Sequence, residues 1–363
     1  MKTKKEKKKG QNRTHKLSLI KSTPHTRPVI GILTVPVPET KQSHSHSYLP
    51  SSCVKWVETG GARVIPIQYG LPINVIISML EQCNGFVTWG TQFVAGGMPD
   101  DDDARFFEHK IPLHNFKTFV RALDAIFLYI SKQNLAGNYY PMLGIGDGMQ
   151  YLAITATFAY KRFKSKITHS LLMNNNSRVD AIEQPSSLSF TSKKNKIKSL
   201  FTPKEQKAIA KHKVVYADNL LGFEPTCSYM NTFTGTTKTS PTQMEIVATS
   251  RGRHGKKYVS IYSFKRLPLY GYSFQPQYTA FEWRMKDIPN SMLAMDVSRK
   301  LSEFFVDECK KNLNKLVDED LLIYNYTLYG VSRLDKILNP GEWSYKYLIN
   351  KFESNYYFNI VRY

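Results

Sequence analysis

No run of about 18 apolar residues occurs in the chain, so no segment is long enough to cross a bilayer as a helix. Cysteine is scarce. Cys53, Cys83, Cys227 and Cys309 lie far apart, and no two have the short spacing of a metal knuckle. This excludes a disulfide framework and reads as reduced thiols of a cytosol-like compartment. The first 27 residues lack the apolar centre of a secretory signal, so entry to the secretory pathway is not expected. Nothing repeats at a fixed period. Acids are also in short supply, with 29 Asp and Glu against 50 Lys and Arg, a net charge of +21 over 363 residues.

That excess sits in three places. Residues 1–27 hold ten Lys and Arg against one Glu, residues 191–215 eight Lys against one Glu, and residues 251–266 six Lys and Arg with no acid. Together these stretches account for the whole net charge, which leaves the remainder near neutral. A neutral globule with basic appendages points to an acidic partner surface. Solvated loops that carry charge for solubility are the alternative. With 42% apolar residues the chain can bury a large core. Its 22 Tyr and 4 Trp read as core and interface.

The first half alternates in a regular rhythm. Apolar runs at 27–37, 62–69, 84–91 and 139–146 read as strands. Helical spacing follows each, with Val54, Trp56 and Val57 before a Gly60-Gly61 stop, then 71–83, 115–137 and 147–158. Strand and helix in this order predict a parallel sheet covered on both faces, with any site along one edge. The second half is strand-like at 214–223, 245–252, 257–276 and 321–330, with "RGRHGKK" as a hairpin tip. Thr202 followed by Pro203 predicts a short basic helix over 202–213. Leu293, Val297, Leu301, Phe304 and Phe305 predict an amphipathic helix over 291–312. The expected division is a disordered basic arm, 1–27, and one α/β domain, 28–363.

The stretch "YYPMLGIGDGMQYLAI", 139–154, is a strand, a glycine corner and a helix start. It does not make a dinucleotide fingerprint, because its glycines fall first, third and fifth, with Met149 sixth. It lacks the Lys-Ser/Thr of a P-loop. It does fit a nucleophile elbow, in which small residues flank the nucleophile by two positions. Gly144 and Gly148 are those flanks, and the nucleophile position is Gly146, which has no side chain.

On these residues the chain resembles the gamma-glutamyl hydrolase family of class I glutamine-amidotransferase-like hydrolases. "RPVIGIL" resembles that family's first strand, and "YLPSSCVKWVETGGARVIPI" its next helix and strand. "NGFVTWGT" resembles its strand and Pro-Gly-Gly loop, and "YYPMLGIGDGMQYLAI" its Gly-x-Cys-x-Gly elbow. "LPLYGYSFQPQYTAFEW" resembles its Gln-Trp-His-Pro-Glu strand end and the aromatic-Glu-Trp that follows. "AMDVSRKLSEFFVDECKKN" and "LLIYNYTLYG" resemble its last helix and strand. The likeness covers about 28–359. It implies a doubly wound, mostly parallel sheet with helices on both faces and antiparallel additions in the C-terminal half.

The same resemblance places the family's nucleophilic Cys on Gly146, its His on Gln275, its acid on Gln277 and a further His on Asn219. The oxyanion loop falls on Gly90 and Thr91, and the residue after the nucleophile is Asp147. Amide hydrolysis of this kind needs a thiolate and an imidazole, and these positions supply neither. Of the other candidates, Cys227 reads as a loop thiol, and Cys53 and Cys83 as buried thiols on or beside helices. His44 and His46 read as a solvated loop. No metal or cofactor is expected.

The expected function is a catalytically inactive relative that serves as a structural or binding component of an intracellular assembly, cytoplasmic or cytoskeletal, with organellar import left open. Its expected partner is an acidic protein surface or filament, met by Lys4, Lys5, Lys7, Lys8 and Lys9 of the arm and by Lys207, Lys211 and Lys213. RNA is a second candidate partner. Two alternatives stand beside this. One is an active folate gamma-glutamyl hydrolase that works by a non-standard site. The other is a binder that holds a gamma-glutamyl compound without cutting it.

Overall fold

Short apolar runs separated by helical spacing become strands and helices because each alternation buries one more strand between two helical layers. A computed structural model of the chain describes residues 27–36, 47–90, 113–160, 177–191, 193–225, 243–283, 285–326, 328–330 and 354–358. The first half runs β1 (Val29–Leu33), β2 (Val35–Pro36), β3 (Ser47–Pro50), α1 (Ser51–Thr59), β4 (Arg63–Ile67), α2 (Ile73–Leu80), β5 (Gly85–Gly90), α3 (Leu113–Leu135), β6 (Met142–Gly146) and α4 (Asp147–Tyr160). The second half runs β7 (Ser177–Ser186), β8 (Ser189–Phe190), α5 (Pro203–Lys211), β9 (Val215–Gly222), β10 (Met244–Arg251), β11 (Lys257–Phe264), β12 (Leu269–Tyr272), α6 (Tyr278–Phe281), α7 (Met292–Cys309), β13 (Leu328–Gly330) and β14 (Ser354–Phe358).

The main sheet has eight strands in the order β4-β1-β5-β6-β12-β11-β10-β8. The first five are parallel to their neighbours, and the last three are added antiparallel. Every residue of β1, β5 and β6 is buried, as a strand covered on both faces requires. Helices α1, α6 and α7 pack together on one face, and α2, α3 and α4 on the other. Trp56 of α1 donates its indole N–H to the Ser298 carbonyl of α7 at 3.1 Å. On the other face the Tyr262 hydroxyl of β11 donates to the Met149 carbonyl of α4 at 2.7 Å. One contiguous hydrophobic core extends from Val29 to Ile323.

Two smaller sheets complete the fold, β13-β14-β3-β2 and the antiparallel pair β7-β9. β7 goes beyond the strands that the sequence pattern predicts. Its register slips twice, and Asp180 and Glu183 adopt positive φ, so it shows no clean period-two alternation. The strand expected over 321–330 is correct only for Leu328–Gly330. Residues 319–325 form two short 3₁₀ turns instead. Asp318 accepts from the Asp320 N–H and Asn325 donates to the Glu319 carbonyl, local bonds that compete with a ladder. The basic stretch 251–266 is no appendage: it is mostly the buried β11, with its charges at the two ends. No helix among the described residues is long and apolar enough to cross a membrane.

Candidate functional site

Parallel strands deliver their C-terminal ends to one edge of a sheet. At that edge β6 runs straight into α4, with Gly146 as the last strand residue and Asp147 as the first helical one. The turn needs φ +59 at Gly146, a conformation that glycine adopts without strain. Its flanks are glycines for another reason. A Cβ on Gly144 would lie 2.7 Å from the Met149 Cα, and one on Gly148 would strike the Thr88 carbonyl.

Gln275 follows β12, and its backbone N–H donates to the Tyr216 carbonyl of β9 at 2.9 Å. That bond draws β9 and β12 together and sets Gln275 over the corner. The side chain is fully buried. Its Nε2 donates to the Gly90 carbonyl at 3.2 Å, and its Oε1 accepts from Gln277 Nε2 at 2.8 Å. Asn219 donates to the Ser273 carbonyl at 2.5 Å. The fold therefore brings Gly90, Gly146, Gln275, Gln277 and Asn219 to one edge, with Asp147 half-buried beside them. Thr91, Cys227, His44, His46 and Lys4 to Lys9 lie outside the described residues.

The space at the corner is filled. A Cβ built on Gly146 would overlap both the Gly90 carbonyl oxygen and Gln275 Nε2. Gln275 could swing away, but Gly90 is backbone. Gly90 also turns a carbonyl, an acceptor, toward this point, whereas an oxyanion needs donors. The amide pair of Gln275 and Gln277 has no group that titrates near neutral pH. Two buried acceptors, Asn219 Oδ1 and Gln277 Oε1, have no hydrogen-bond partner among the described residues.

None of the described thiols is poised as a nucleophile. Burial pushes the Cys53 thiol well up, and the nearby Glu282 carboxylate pushes it further. Burial likewise raises Cys83 and Cys309. His254 is on the far hairpin, where it meets the Asp180 carboxylate at 3.1 Å. Among the described residues no three His, Cys, Asp or Glu side chains are placed to hold a metal.

Sequence reasoning quotes Phe281-Glu282-Trp283 as a motif but gives Glu282 no role. In the fold Glu282 is buried, as is Asp218 next to Asn219. Asp218 accepts from the Glu183 N–H at 3.3 Å. Both carboxylates help burial raise the Tyr278 hydroxyl pKa. For Asp218 the available signal was an acid inside a mostly apolar strand.

No protein-family model matches the chain. Among curated proteins it is 27% identical over 319 residues to gamma-glutamyl hydrolase B of Dictyostelium discoideum, covering 85% of this chain and 81% of that one. It is 22% identical over 328 residues to the gamma-glutamyl hydrolase of Homo sapiens, covering 85% and 89%. Among solved structures, a putative GMP synthase component of Thermoplasma acidophilum superposes on 78% of this chain and 96% of its own at a TM-score of 0.38 and 15% identity. Gamma-glutamyl hydrolase 1 of Arabidopsis thaliana is 30% identical over 310 residues, 83% of this chain and 78% of that one, and on this likeness the chain belongs to the gamma-glutamyl hydrolase family.

Proposed function

We propose that this chain is a gamma-glutamyl hydrolase relative that does not hydrolyse, and that it acts as a binding or structural component of an intracellular assembly. One observation supports the loss of catalysis above all. The place where a nucleophile's side chain would stand is occupied by the Gly90 carbonyl and the Gln275 amide. On this reading Gly146, Gln275, Gln277 and Asn219 are vestigial catalytic positions, and Gly90, Thr91 and Asp147 a vestigial oxyanion loop. Removal of a single triad member leaves only about 10³–10⁴-fold rate enhancement, and here every member is replaced. The purified chain is expected to release no product from a gamma-glutamyl peptide. Turnover that co-purifies with the chain and survives alanine at Cys227 and His254 would overturn the reading.

The partner on this reading is an acidic surface, cytoplasmic or cytoskeletal, met by Lys4, Lys5, Lys7, Lys8 and Lys9 and by Lys207, Lys211 and Lys213. Support comes from the last three, which are exposed on and just after α5. Exposed charges are screened over roughly 8–10 Å at physiological salt, so association should weaken steeply as salt rises. Co-sedimentation with filaments and with RNA, for the full chain and one lacking residues 1–27, tests this. Association indifferent to both salt and deletion would place the interface elsewhere.

The orphan acceptors Asn219 Oδ1 and Gln277 Oε1 favour a second reading, in which the corner still holds a gamma-glutamyl compound through that ligand's N–H groups. Calorimetry with an uncleaved gamma-glutamyl peptide separates the two, since an empty vestige gives no heat.

A further inference from the structure

At the opposite edge of the sheet, where β6 and β12 begin, a cavity of 390 Å³ opens. Lys194 and Lys196 line it from one basic stretch, and Lys265 and Arg266 from another far along the chain. Glu245 is the sole carboxylate among its described lining residues, so the charged lining side chains sum to a formal +3.

The wall is held in place. Asn195, between the two lysines, donates to Glu245 at 2.8 Å and to the Ser263 hydroxyl at 2.9 Å. Its own carbonyl oxygen Oδ1 accepts from the Ile197 N–H at 2.9 Å. The Thr191 N–H donates to the Val247 carbonyl of β10 at 2.9 Å, which anchors the start of the loop. Glu245 is therefore already engaged with Asn195.

The nearest buried acid is engaged as well. Glu308 of α7 accepts from the Tyr139 hydroxyl, from the Tyr270 hydroxyl at 2.9 Å and from Lys311, with Lys196 at 3.5 Å. Lys194 and Lys265 have no carboxylate partner among the described residues. Like charges on one wall repel one another, and an anion between them relieves the repulsion.

We propose that this cleft binds a compact diphosphate group carried on a small molecule. Its volume lies in the range of small-molecule sites. A carboxylate brings one charge, so a peptide would need three acidic residues within the cavity. Each phosphate brings about −1.5 to −2 at neutral pH, so two adjacent ones match the wall. Lysine suits phosphate as a point charge.

The test is a titration of inorganic pyrophosphate into the full chain at about 0.15 M salt. One saturable site is expected, with orthophosphate and triglutamate each binding at least about tenfold more weakly. The double variant Lys194→Ala, Lys265→Ala should weaken pyrophosphate at least about tenfold, because each lost charge-assisted bond is large on that scale. A charge-matched control, Lys55→Ala with Lys117→Ala, should stay within about twofold, since both lysines are exposed outside the cavity. No saturation, equal losses in the two doubles, or triglutamate or orthophosphate binding as tightly as pyrophosphate would each overturn the assignment.

Discussion

Gly90, Gly146, Gln275 and Gln277 meet at the edge where β5 and β6 end, and none of them carries a charge. Lys194, Lys196, Lys265 and Arg266 face a cavity at the edge where β6 and β12 begin. Four residues of β6 separate the two regions, roughly 13 Å along a strand. Open α/β sheets hold ligands outside the carboxyl ends of their strands. Here, among the described residues, the corner at that edge is closed by amides and backbone, and an open, charged concavity lies at the other end. A fold family's preferred edge is thus a statement about geometry. Which edge has chemistry to offer depends on the side chains laid on it.

The sharpest way to break this comparison is to add one side chain to the closed edge. Gly146→Cys must hold a β-carbon at φ +59, at roughly 1–2 kcal/mol, and displace the Gly90 backbone, at roughly 1–3 kcal/mol more. Urea unfolding should show a loss of about 2–5 kcal/mol, and no hydrolysis should appear. A loss below about 1 kcal/mol would mean that the corner has room.

Next in size is Glu308→Gln at the open edge. Burial works to raise the Glu308 pKa, but Lys311 and the Tyr139 hydroxyl together hold it below the ordinary value. Its stabilising contribution is therefore complete above about pH 4.3 and is lost as pH falls through the lowered value. The variant should be about 2 kcal/mol less stable at pH 7, and the gap should close toward pH 3. A gap that does not change with pH would show that the charge of Glu308 contributes nothing.

The smallest effect belongs to Lys194→Ala. An exposed side chain with no carboxylate partner among the described residues should change unfolding by less than about 0.5 kcal/mol. Its influence is expected on pyrophosphate binding alone, which separates a site from a support.

Much of the closed edge was legible. Three glycines spaced by two announce a strand-to-helix corner, and the Thr202-Pro203 start and the Leu293–Phe305 stripe announce their helices. The filling of the corner was not legible. That the Gly90 carbonyl stands over residue 146 depends on how β5 and β6 register, which no local pattern encodes. The open edge was hidden for a related reason. Lys194 and Lys265 line one cavity only because β8, β10 and β11 are laid antiparallel beyond β12. β7 escaped notice because its two bulges erase the alternation by which strands are read.

The overlap between residue 146 and the Gly90 carbonyl also governs which mutational routes remain open to the chain. A thiol cannot enter the corner in one step without unsettling the fold, and an imidazole at 275 would have nothing to activate until a thiol stood at 146. Each of these changes is harmful or idle until the other has happened and the backbone at 90 has moved. The corner therefore acts as a ratchet, and this sequence is far freer to vary its surfaces than to place a thiol and an imidazole there.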